Sequence, residues 1–496
     1  MQVAHADETR AAPSPPSPAL REVADFFDDF AAVDDRWQKR NSAYHRLIES
    51  LMRFVVPRGV SVLEIGSGHG DLLAGLAPAR GVGVDVSPRM VEEARERHPG
   101  LEFVCSSGES FVRDDRFDYV VLSDLVPFAD DLLAIFRNVA RMTHARSRVV
   151  VHSYSQVWRP AIRLAELLRL KPRKPLRNWV APEDIRNLLD LAGFEVVSTT
   201  KRLLLPKRVP FLSTFLNGLV ANVWPFTLLT LTYWVVARPR PEPAGADLDV
   251  SVIVPCRNEA GTIGEIVERV PEMGGGTEIV FVEGGSTDDT RERIEREIAL
   301  HPERRLSLHV QQGRGKADAV RLGFERAEGD IVMILDADLT VAPEDLPKFH
   351  DALVSGRAEL VNGSRLVYDL EPGAMRFLNI AGNKAFSLLF GFLIGQFVKD
   401  TLCGTKALLR SDYDAIARNR ATFGDFDPFG DFDLLLGAAR LGLKITDLPV
   451  RYGSRRYGET NISRFSHGWL LLRMTGTAFW KFKVEPVRLR RVTSVR

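Results

Sequence analysis

Cysteine is scarce in this chain: its three, Cys105, Cys256 and Cys403, lie far apart and form no CxxC pair. That spacing excludes a disulfide framework and a thiolate zinc site, and it points to a reducing compartment. Net charge is nearly absent too, at +1 from 66 basic and 65 acidic residues. No global field therefore calls for a nucleic-acid partner or another polyanion. Residues 1–20 lack the apolar core of a secretory signal, and their Ala/Pro/Ser content reads as a disordered leader. Repeats at solenoid periods are missing. What is present is a globular composition over 496 residues, 45% hydrophobic and 26% charged, enough for several domains.

One stretch, residues 210–237, carries no charge and is long enough to span a bilayer. Asn217, Gly218, Asn222 and Pro225 interrupt it, and it ends in a β-rich run. It therefore reads as an apolar loop or helix leading into a buried strand. A Pro/Arg-rich segment follows at residues 238–243, with the character of an extended linker. The expected layout is a leader at 1–20, a domain at 21–238, a linker at 239–248, a domain at 249–485 and a basic tail at 486–496.

Both halves alternate short β-rich runs with helical patterns. The runs are residues 61–65, 81–84, 119–122 and 148–151, then 252–254, 278–282 and 331–335. Apolar runs between helices predict parallel sheets covered on both faces, so each half is read as α/β. Such sheets bind ligands at the carboxyl ends of their strands.

In the first half the opening strand runs into Glu64-Ile65-Gly66-Ser67-Gly68-His69-Gly70. Glycines there allow a tight turn and close approach to a ligand. The next strand ends at Asp85, about twenty residues on, where a carboxylate can accept both hydroxyls of a ribose. The spacing is Gly-x-Gly-x-Gly, which counts against a pyrophosphate-binding dinucleotide loop. VLEIGSGHGD, VGVDVS and FDYVVLSDLVPFADDLL together resemble the class I S-adenosylmethionine-dependent methyltransferases, with a Rossmann-like sheet, over roughly residues 37–237. The resemblance implies that Glu64, Gly66, Gly68 and Gly70 line the S-adenosyl-L-methionine, that Asp85 holds its ribose, and that Asp124 sits near the methyl group. Where many members carry an acid after the third strand, this chain has Cys105-Ser106-Ser107-Gly108-Glu109, so Ser106 or Glu109 would face the adenine. His152 follows a strand and reads as a base or, more simply, as a strand-end histidine.

In the second half a strand runs into Pro255-Cys256-Arg257-Asn258-Glu259, and the next ends at Glu283 before Ser286-Thr287-Asp288-Asp289, which also reads as a helix cap. Lys316 follows a glycine turn, and a strongly apolar strand ends in Asp336-Ala337-Asp338. A lone Asp-x-Asp is common at solvated strand ends. Two hard oxygen ligands where an open sheet binds a diphosphate suit Mg²⁺ or Mn²⁺. The ordered set resembles family-2 glycosyltransferases of the GT-A fold, most like dolichol- and polyprenyl-phosphate sugar synthases, over roughly residues 249–465. The resemblance implies that Pro255, Arg257, Asn258, Glu259 and Glu283 hold the nucleoside of a GDP- or UDP-linked sugar. It places Lys316 by the diphosphate and Asp336 and Asp338 on the metal and nucleotide. Arg365 would face the acceptor, Asp400 would lie beneath its pocket, and Arg455 would serve near the diphosphate. Asp431 and Asp433 occupy the region of an acid near the acceptor, and with Asp338 and Arg455 they complete the catalytic set. Glu283-Gly284, Thr340 and Thr460-Asn461 differ from the family's usual residues.

The chain is thus expected to be a bifunctional enzyme: a methyltransferase-like sheet followed by a GT-A sheet, acting in glycolipid or surface-polysaccharide synthesis. A phosphate acceptor needs arginines, whereas a saccharide hydroxyl needs a base such as Asp431 or Asp433. A cytoplasmic location is expected; residues 386–398 read either as an interfacial segment or as core, and the aromatic stretch 468–482 with the basic tail reads either as peripheral contact at the inner face of the membrane or as a core helix with a solvated tail. Two other readings stay open: a first domain that only binds or docks, and a nonenzymatic scaffold.

Overall fold

The apolar runs become the central strands of two separate sheets. The computed structural model describes residues 17–168, 174–175, 178–243, 245, 247–368, 377–420, 430–455, 457 and 464–488. The chain divides into two compact units, Met1–Arg240 with Lys483–Arg496, and Pro241–Phe482.

The first sheet comprises β1 (Ser61–Ile65), β2 (Arg80–Asp85), β3 (Glu102–Cys105), β4 (Phe117–Ser123), β5 (Thr143–Tyr154), β6 (Phe194–Arg202) and β7 (Thr232–Pro239), in the order β3-β2-β1-β4-β5-β7-β6. Alternation along β4 explains its place: Val120 and Leu122 enter one apolar cluster, Tyr119 and Val121 the other. A strand buried on both faces reads as a continuous apolar run. β1 through β5 pair in parallel, with β1 between β2 and β4. Connections leave β1 and β4 to opposite faces, which opens a crevice at their carboxyl ends.

The second sheet comprises β8 (Val250–Cys256), β9 (Thr277–Glu283), β10 (Arg305–Val310), β11 (Ile331–Ile334), β12 (Leu360–Ser364), β13 (Lys406–Leu409) and β14 (Ile445–Pro449), in the order β10-β9-β8-β11-β13-β12-β14. Both sheets depart from the all-parallel expectation. β7 runs antiparallel to β5 and β6, and β13 antiparallel to β11 and β12. Periodicity registers burial, not strand direction, so these reversals left no mark in the hydrophobic pattern.

Residues 210–237 are not one helix. They form a short helix (Leu212–Gly218), two 3-10 turns (Val220–Asn222 and Phe226–Leu229) and β7. Among the described residues no helix is long and apolar enough to cross a membrane. The 386–398 run closes the helix Phe377–Ile394, with Phe390 and Leu393 buried and Leu388 and Phe397 exposed.

Two ends differ from the expected layout. A helix begins at Pro18, inside the segment read as leader, because Leu20, Val23, Phe27 and Phe30 recur at helical spacing. From Lys483 the chain belongs to the first unit, ahead of the boundary expected at 485. Val487 enters the cluster holding Tyr44 and Leu47, and Val484 lies against Gly218. The residues of the basic tail beyond 488 lie outside the described residues.

Candidate active sites

In the first unit the turn after β1 rests on three glycines at positive φ, Gly66 at 81°, Gly68 at 51° and Gly70 at 75°. Side chains at those angles are strained. A Cβ at Gly70 would also overlap the Phe103 ring. The Gly68 N–H donates to Asp85 Oδ2 at 2.8 Å, and the Ser87 N–H to Oδ1 at 3.0 Å. Ser87 then caps the next helix by accepting from the Met90 N–H at 3.1 Å. The glycine turn and the ribose-type acid are thereby locked together.

A cavity of about 280 Å³ opens at this point. Glu64, Gly66, Gly68, Asp85, Ser106 and Asp124 all line it, as does Glu109. Gly70 is not on its wall; it starts the helix Asp71–Leu76 behind the turn. Burial pushes the Glu64 carboxyl up to about 8, against a backbone hydrogen bond from Leu73. Among the described residues its Oε2 has no hydrogen-bond partner. Burial likewise raises Asp85 above the ordinary carboxylate value, despite the N–H groups that favour its charged form. Asp124 stands at φ 56°, accepts from the Tyr44 hydroxyl at 3.1 Å and lies 3.5 Å from His152 Nδ1. His152 is wholly buried against Trp234, with ring centroids 4.5 Å apart, and is not on the cavity wall. Burial lowers its pKa, with Asp124 opposing.

Sequence reasoning missed the roof of this cavity. Leu20, Val23, Phe27 and Phe30 come from the first helix, and Tyr44 from the helix Ser42–Val55. The Lys174 ammonium sits over the rings of Phe27, Phe30 and Phe128 at 5.3–5.7 Å. The helical spacing of the apolar residues was the available signal.

In the second unit the loops after β8 and β9 are stitched together. Asn258, at φ 57°, donates its N–H to Ser286 Oγ at 3.0 Å and accepts from the Thr287 N–H at 2.8 Å. The Glu259 N–H donates to Thr290 Oγ1 at 2.9 Å. Glu283 ends β9 buried and accepts from the Ser286 N–H. Pro255 pairs with Val282 within the sheet, and Arg257 is exposed beside it.

The carboxylates after β11 are each met by a cation. Lys316 Nζ lies 2.5 Å from Asp336 Oδ1. Arg455 donates to Glu259 Oε1 and stands 3.8 Å from Asp338 Oδ2. Thr340, at an unusual position for the family, donates its N–H at 3.1 Å and its hydroxyl at 2.8 Å to Asp338 Oδ1. Burial raises Asp336, but the Lys316 ammonium more than reverses this and holds it below the ordinary value. Asp338 is raised by burial and then by Asp336. Glu259 is pushed up to about 7 by burial, against Arg455, with Asp338, Asp288 and Asp336 adding to the rise. Gly404 was not singled out from sequence, yet a Cβ there would overlap the Asp336 carboxylate and the Lys316 ammonium. Among the described residues no group of three or more His, Cys, Asp or Glu side chains is placed to hold a metal.

Two expected site carboxylates are paired with arginines. Asp400 is fully buried and grips Arg365, accepting from Nε at 2.7 Å, Nη2 at 2.9 Å and the backbone N–H at 3.1 Å. Asn383 and the Leu402 N–H add further bonds, so Asp400 holds Arg365 in place. Arg365 lies over the Tyr452 ring at 5.1 Å. Asp433 is buried in a pair with Arg420 at 2.6 Å and with Arg321 at 3.7 Å. Asp431 starts the helix Asp431–Arg440, but its side chain lies outside the described residues, as do residues 456 and 458–463 of the Arg455 segment.

Comparison with known proteins matches two stretches of the chain, one in each unit. The family model Methyltransferase domain matches residues 36–199, and Glycosyl transferase family 2 matches residues 251–416. Glycosyltransferase AglJ of Haloferax volcanii is 32% identical over 224 residues, covering 45% of this chain and 69% of that protein. The dolichyl-phosphate hexose transferase of the same organism is 30% identical over 221 residues, covering 44% of this chain and 89% of that protein. A SAM-dependent methyltransferase from Thermotoga maritima shares 18% identity, covering 44% of this chain and all of its own, with a TM-score of 0.35. The chain belongs to glycosyltransferase family 2, and N-terminal to that domain it carries a methyltransferase-like domain.

Proposed function

We propose that the second domain transfers a sugar from a GDP- or UDP-linked donor to a lipid phosphate, with inversion at the anomeric carbon, and that the first transfers a methyl group from S-adenosyl-L-methionine. One observation carries the sugar-transfer reading: Arg455 joins Glu259 and approaches Asp338, while Lys316 holds Asp336, at the carboxyl ends of β8 and β11. These are cations already paired with carboxylates, and a diphosphate can take the place of those carboxylates. Asp336 and Asp338 offer hard oxygens suited to Mg²⁺ or Mn²⁺ bound by two carboxylates plus phosphate oxygens. A divalent cation there supplies charge neutralisation for the departing nucleoside diphosphate. Lys316 and Arg455 would orient the diphosphate, and Arg365, aimed by Asp400, would orient the acceptor.

The placement of Arg365 by Asp400 favours a phosphate over a saccharide hydroxyl. A phosphate arrives as an anion that a guanidinium can hold and needs no proton removed, whereas a hydroxyl needs a base. The likeness to a dolichyl-phosphate hexose transferase supports the same choice. Radiolabelled donors offered to the full chain with Mn²⁺ and either a polyprenyl phosphate or an oligosaccharide test this. Label in the acid-labile lipid product is expected; label in the oligosaccharide alone would overturn the phosphate reading.

For the first domain, the cavity, the unpartnered Glu64 oxygen and Asp85 fit a ligand with a positive centre and a ribose. S-adenosyl-L-methionine supplies the methyl group on a sulfonium. The residues align it and exclude water, and alignment carries much of the rate in methyl transfer. Calorimetric titration with the cofactor tests this, and no binding would leave the domain as a docking module.

A further inference from the structure

Residues 209–229 of the first unit reverse the usual order of polarity. Asn217 is fully buried; its Oδ1 accepts from the Leu204 and Leu205 N–H groups at 2.8 and 2.9 Å, and its Nδ2 donates to the Leu205 carbonyl at 2.9 Å. Asn222 is buried on the Gly218 carbonyl at 2.9 Å, and Ser213 on the Val209 carbonyl at 2.8 Å. The apolar side chains point the other way. Phe211 is 91% exposed and Trp224 77%, and Phe215, Val223, Phe226 and Leu228 are each about half exposed. The buried amides fix the backbone, so the outward residues are held out by bonds made within. Trp158, just before the helix Arg159–Leu167, donates its Nε1–H to the Leu229 carbonyl at 2.9 Å at the border of this face, and Leu164, Leu167 and Leu168 are exposed farther along the chain.

The charge along this segment of chain has one sign, although Glu485 lies in the turn that packs on the helix Leu212–Gly218. No Asp or Glu occurs between Glu195 and Glu242, while Lys207 and Arg208 are exposed at the edge of the apolar face. Arg159 and Arg163 are exposed on the neighbouring helix, whose acid is Glu166. Two copies meeting through this face would bring their basic rims together, which opposes self-association. Aromatic and aliphatic side chains with a basic border match the headgroup boundary of a membrane, where the rings enter the acyl edge and the cations meet lipid phosphates.

We propose that this face docks the methyltransferase unit on a lipid bilayer containing anionic lipids. The proposal stands whatever the donor or acceptor of either reaction. The test is co-sedimentation of the full chain with phosphatidylcholine vesicles, with and without phosphatidylglycerol. Wild type is expected to pellet with the anionic vesicles and to be released as salt rises. Phe211→Ser with Trp224→Ser should weaken that binding at least about tenfold while circular dichroism and the melting temperature stay unchanged. Lys207→Glu with Arg208→Glu should abolish the preference for anionic vesicles. The proposal is overturned if wild type fails to pellet, if the apolar double variant pellets equally well, or if wild type is a lipid-free dimer that this variant dissolves into monomers.

Discussion

The two sheets treat their site carboxylates in opposite ways. In the first unit Glu64 waits in a cavity with one oxygen unpartnered, and Asp85 is held by backbone N–H groups. In the second, Asp336 carries Lys316, and Arg455 serves both Glu259 and Asp338. An unpaired buried acid favours a ligand that brings positive charge. A site of acids already matched by cations favours an anionic ligand that brings a metal with it, because the net charge then changes little on binding. The same strand-end geometry is thus tuned toward opposite ligand charges by what stands against the carboxylates.

The largest test of that contrast is Asp338→Asn. Sugar transfer should fall by about 100-fold or more, while methyl-donor binding holds. Loss of both in a folded variant would break the division between the sites. Asp85→Ala should weaken S-adenosyl-L-methionine about 10- to 100-fold by calorimetry, the worth of charge-assisted bonds to a ribose, with sugar transfer intact. Gly404→Ala should then lower sugar-transfer kcat about tenfold by pushing Asp336 and Lys316 apart, with a drop in melting temperature of a few degrees. An unchanged kcat would remove Gly404 from the site.

The smallest expected effect is on stability against pH. Glu64 titrates at about 8 folded, above its ordinary 4.5. The folded state then holds a proton that the unfolded state has released, so this contribution is whole below about pH 4.5 and is lost as pH rises through about 8. Thermal melts of the ligand-free chain should decline over that window, and Glu64→Gln should flatten the decline. An identical slope in the variant would place the proton elsewhere.

Much of this was legible in sequence because it depends on short local patterns. The glycine turn, Asp85, the Asp336 triplet and the Pro255–Glu259 turn (residues 255–259) each follow a strand whose apolar run announces it. The cavity roof was also written in sequence, at the helical spacing from Leu20 to Phe30, but the Pro-rich start drew attention away from it. What was not legible depends on partners distant in sequence. Asp433 looks the same whether it faces a substrate or Arg420 and Arg321, and Asp400 the same whether it faces a ligand or Arg365. Gly404 gains meaning only from the two side chains that close over it. The outward Phe211 and Trp224 were visible as apolar residues, but not which way the buried asparagines would turn them.

The return of residues 483–488 to the first unit has a consequence for biosynthesis. Val487 belongs to the same apolar cluster as Tyr44 and Leu47, although some 440 residues of chain separate them. Domains generally fold as they leave the ribosome, N-terminal first. Here the first domain cannot complete this cluster until residue 487 has been made, and the glycosyltransferase domain is translated in between. A nascent chain halted before residue 483 would therefore carry all of the second unit but only part of the first.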